Sequence, residues 1–64
     1  MAEVVTEEEI AASARELVAR HGAAAGESAA TRVAELERQG RWPEHALAVR
    51  VLNAVERLLE GPAA

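Results

Sequence analysis

His21 and His45 are the only side chains in this sequence that titrate near neutral pH. His45 directly follows Glu44, and His21 directly precedes Gly22. A His–Glu pair can move a proton, and two histidines with Glu37 or Glu44 make a three-ligand metal set. Each histidine also has a plainer role. His21 closes a helical stretch, where a basic group suits the negative end of the helix dipole. His45 flanks the turn at Trp42-Pro43. The plainer roles account for both residues, so no metal and no cofactor is expected.

Nucleophilic chemistry needs a Ser, Thr or Cys beside a base that an acid orients. Thr6, Ser13, Ser28 and Thr31 read instead as helix caps or helix-surface residues. Gly22 and Gly26 follow no strand and lead into no GK[ST] sequence, so they form no phosphate cradle. The reading is that the chain is not an enzyme.

Three helical segments carry these side chains, over about 7–21, 24–39 and 43–60. Thr6-Glu7-Glu8-Glu9 has the form of a capping box, with three acidic groups at the positive end of the first helix. Val5, just before the cap, suits either a hydrophobic staple or a frayed end. Ile10, Ala11, Ala14, Leu17, Val18 and His21 fall on one face at helical spacing. Glu16 and Arg20 are an i,i+4 pair, and Gly22 is a natural C-cap.

The second helix presents Ala25, Gly26, Ala29, Ala30, Val33 and Leu36, a face of small residues that admits a close neighbour. Its start is ambiguous, because Gly26 lowers helix propensity and Ser28 is an alternative cap. Arg32 with Glu35, Glu35 with Arg38 and Glu37 with Arg41 are spaced as polar-face pairs. Gly40 ends this helix. Pro43 opens the third, and Trp42, biased to an extended conformation before proline, is expected to fold over the junction of helices two and three. Gly61-Pro62 stops the third helix. Residues 1–5 and 61–64 read as tails around a single domain of 6–60. The fold class is therefore all-α, a small three-helix bundle with the third helix as its spine.

The chain has 64 residues, no cysteine and a net charge of −4. A chain this short buries only about 60% of its unfolded surface and has no disulfide to staple it, which leaves association as a source of stability. Every base is Arg and every acid is Glu. The acidic balance argues against nonspecific nucleic-acid or anionic-membrane binding. No apolar run reaches membrane-span length and Met1-Ala2-Glu3 does not begin a secretory signal, so a cytoplasmic location is expected.

Apolar residues are unevenly distributed. The first two helices offer Ile10, Leu17, Val18, Val33 and Leu36 as large apolar groups; the third alone offers Leu47, Val49, Val51, Leu52, Val55, Leu58 and Leu59. Two alanine-rich helices should cover the centre of that arc, expected at Leu52, Val55 and Leu59, and leave its edge at Leu47, Val51 and Leu58. Such an exposed strip commonly marks an interface. With Trp42 as an anchor near its edge, it is the expected surface for a second copy of the chain or for a protein partner. The alternative is that the first two helices straddle the third and bury all of it.

Helix–Gly turn–helix also invites a DNA-binding reading. The third helix begins Pro43-Glu44-His45-Ala46-Leu47, which lacks the Arg or Asn groups used for major-groove readout. A nucleic-acid-associated regulator then requires Arg15, Arg32, Arg41 and Arg50 to gather into one patch.

The run RHGAAAGESAATRVAELERQGRWPEHALAVRVLNAVERLL resembles a type of short, uncharacterised proteobacterial protein. Those proteins share the His-Gly after a first helix, the alanine-rich second helix, the Gly turn, and a third helix of the A-x-x-x-V-x-x-A-V-x-x-L type. The resemblance covers about residues 17–59 and implies a three-helix fold, with no activity or site residues attached.

Overall fold

The computed structural model describes residues 5–61. Its helices are α1 (Glu7–His21), α2 (Ala25–Arg38) and α3 (Trp42–Glu60), with a short 3₁₀ turn, Gly22–Ala24, between α1 and α2. The fold is all-α, as expected. Of the tails anticipated at residues 1–5 and 61–64, residues 1–4 and 62–64 lie outside the described residues.

Each helix end has a local cause. The Thr6 hydroxyl accepts from the Glu9 backbone N–H at 3.1 Å, and the Glu9 carboxylate accepts from the Thr6 N–H at 2.9 Å. That reciprocal pair is the capping box. Glu16 and Arg20 pair at 3.1 Å. Gly22 donates its N–H to Val18 and takes a positive φ of 57°. The chain does not pass directly into α2, because it makes the 3₁₀ turn first. Ser28 lies inside α2, not at its cap, and Ala24 caps without a side-chain hydrogen bond.

At the other end of α2 the Arg41 N–H reaches the Leu36 carbonyl and the Gly40 N–H reaches the Glu37 carbonyl, both at 3.0 Å. These two bonds, with Gly40 at φ 69°, form a Schellman motif. The motif reverses the chain and sends α3 back along α2.

The core is thin. Ile10, Ala14, Ala25, Ala29, Leu36 and Val55 are buried, and three of these six are alanines. Ala14, Ala25 and Val55 make its centre, with Leu17, Val18, Val51 and Ala54 packed around them. Contacts of α3 with α1 and with α2 far exceed those between α1 and α2, so α3 is the spine.

The expected core centre shifts. Val55 is fully buried, but Leu52 is half-buried and Leu59 is 41% exposed. The alanine faces of α1 and α2 converge on Val55 and reach no farther around the arc. Ala30, placed on the inner face of α2 from sequence, is exposed.

Candidate interaction surface

Trp42 is already the first residue of α3, despite the bias against helix before proline. Pro43 occupies the first turn, where its missing N–H costs nothing. The indole does not fold over the α2–α3 junction. It is 56% exposed and meets the His45 ring edge-on, centroids 5.3 Å apart at 74°. A ring at the start of α3 packs on the side chain three residues along its own helix.

The other residues expected at the interface divide between two places. Leu47 and Val51 line an open groove of 760 Å³ between α2 and α3, with Leu17 of α1 contributing to its wall. Ala29 and Leu36 supply its buried floor, and Ser28, Thr31, Arg32, Glu35 and Glu44 its polar lining. Leu58, 44% exposed, lies instead in a smaller depression of 250 Å³ with Glu7, Ile10, Ala11, Ala14 and Arg15 of α1. The reason is the placement of α1. It packs on α3 around Ala54, Val55 and Leu58, and beyond Leu17 it supplies no wall to the groove. Beside Leu47 the structure is an α2–α3 hairpin with one apolar side uncovered.

Electrostatics around the groove mix both signs. Glu44 has its pKa lowered by its own backbone N–H in the first turn of α3 and then by Arg41, whose Nη2 donates to Oε2 at 3.2 Å; Arg32 adds a weaker attraction. Among the described residues the ion pairs are Glu16–Arg20, Arg41–Glu44 and Glu7–Arg50. The pairs expected along α2, Arg32–Glu35, Glu35–Arg38 and Glu37–Arg41, are not formed.

The arginines proposed as one patch divide. Arg32 and Arg41 both act on Glu44, whereas Arg15 lines the α1–α3 depression with Glu7, the partner of Arg50. His21 is exposed at the end of α1 and His45 stands against Trp42. Among the described residues no three His, Asp or Glu side chains are grouped to hold a metal ion. No described helix is long and apolar enough to cross a membrane. Sequence reasoning missed the α2 side of the groove, because Arg32 and Glu35 read as a self-satisfied pair.

Compared with family models, curated proteins and solved structures, the chain matches none of them.

Proposed function

We propose that this chain is a small, non-catalytic helical interaction module, or regulatory subunit, that works in the cytoplasm and self-associates through the apolar edge of α3. Trp42, Leu47, Val51 and Leu58 are its contact residues. The observation that carries this reading is the apolar surface α3 leaves uncovered: a 760 Å³ groove beside Leu47 and Val51, with Trp42 and Leu58 each about half exposed. An exposed apolar strip rimmed by polar groups is the kind of surface a partner covers. The thin core adds a thermodynamic motive, since a chain of 64 residues with three buried alanines gains stability by covering more apolar area.

Sedimentation equilibrium at micromolar concentration tests it. A concentration-dependent dimer is the expected result. A strict monomer whose α3 amides are fully protected from exchange overturns self-association. A mobility shift of random duplex DNA at low salt, with a log–log salt slope of several units, favours a nucleic-acid-binding regulator instead.

A further inference from the structure

We infer that the α2–α3 groove is the seat of a second copy of this chain, joined by reciprocal Arg32–Glu35 ion pairs about a two-fold axis. The inference rests on the self-association reading and narrows it to one face, leaving Leu58 outside.

Two observations point to a copy of the same chain. Arg32 and Glu35 are one helical turn apart, both line the groove, and neither is paired within the chain among the described residues. A groove rimmed by one sign calls for a partner of the opposite sign. A rim carrying one unpaired charge of each sign is complementary to itself. An isologous contact has that requirement: if residue i meets j, then j meets i. Antiparallel α2 helices crossing between Val33 and Ala34 bring Arg32 beside the partner's Glu35 and Glu35 beside the partner's Arg32.

The second observation is the floor. Leu36 and Ala29 are buried, while Leu47, Ala48 and Val51 are only half-buried. Two such hairpins placed face to face form a four-helix layer and cover Leu47 and Val51 from both sides. Polar groups then surround an apolar centre, as in stable interfaces.

A charge-swap series read by sedimentation tests the seat. Arg32→Glu is expected to weaken the dimer by about tenfold or more, because like charges meet twice across the axis. Arg32→Glu combined with Glu35→Arg is expected to restore affinity to within about threefold of the original chain. Leu47→Glu, which puts a charge on the half-buried apolar wall of the groove, is expected to abolish the dimer while circular dichroism stays helical. Leu58→Glu is expected to change affinity less than about threefold. If Leu58→Glu abolishes the dimer and the charge swaps do not affect it, the groove is not the seat although self-association stands. If the unaltered chain is a monomer throughout, self-association itself fails. If Leu47→Glu is unfolded, the charge swaps alone decide, since both positions are exposed.

Discussion

Arg50, midway along α3, forms an ion pair with Glu7 in the first turn of α1, joining positions 43 apart in the sequence. Of the three ion pairs among the described residues it alone links two helices. It joins the start of α1 to the middle of α3. Both side chains are largely solvated, so the pair contributes only about 0–1 kcal/mol. Arg50→Ala should therefore lower stability by no more than about 1 kcal/mol, with a difference that shrinks as salt is raised. Urea unfolding at low and at high ionic strength checks this. A loss well above that figure would mean the arginine stem is packing on α3.

Gly26 offers a stabilising substitution. It lies in the first turn of α2 without a positive φ, and a Cβ built there meets only Leu59 Cδ1, at 3.7 Å. That is ordinary contact. Alanine removes the entropic cost of a helical glycine, so Gly26→Ala should stabilise by about 0.5–1 kcal/mol. In a domain of this size the shift in melting temperature is on the order of a few degrees. A fall in melting temperature would mean that α2 has no room to accept the methyl beside Leu59.

Helix positions were legible from short-range chemistry. Thr6 with Glu9, Gly22, Gly40 and Pro43 each act within one or two turns, and their types place both ends of α1, the end of α2 and the start of α3, whereas the start of α2, behind a 3₁₀ turn with no side-chain cap, carries no such signal. What lay beyond reach depended on how far α1 extends along α3. Periodicity put Leu47, Val51 and Leu58 on one strip, and on the bare helix they share one. The packing of α1 around Val55 divides the strip, sending Leu58 to one depression and Leu47 with Val51 to another. Trp42 misled for a similar reason. A large apolar ring suggests burial, yet a ring ahead of the first full turn has no neighbouring helix to cover it.

The core should follow the burial observed here more closely than residue size. Leu36 is 1% exposed, so Leu36→Ala should cost about 2–5 kcal/mol. Leu52 is half-buried and already faces solvent on one side. Leu52→Ala should therefore cost clearly less than Leu36→Ala, although the same atoms are removed. Paired urea titrations on the two variants give the comparison. Equal losses would mean that Leu52 becomes covered in solution, as happens if a second chain packs over it, and dilution below the dimer dissociation constant would then separate the two values.

Glu44 sets a pH dependence whose direction is fixed by its surroundings. Its pKa in the folded chain is lowered, first by its own backbone N–H and then by Arg41. A carboxyl with a depressed folded pKa stabilises the fold when ionised. The contribution is complete above the ordinary carboxylate value of 4.5 and is lost as pH falls through the lower, folded value. Glu44→Gln should therefore be less stable than the unaltered chain at pH 7. The gap should narrow below pH 4.5 and close once Glu44 is protonated in the folded chain. Other carboxylates titrate in both proteins and cancel in the difference. Thermal unfolding of both at pH 7 and at successively lower values measures the gap directly. A gap that persists unchanged into acid would assign the effect to the shape of the side chain, not its charge. The helix-start position of Glu44 would then matter only for packing beside the groove.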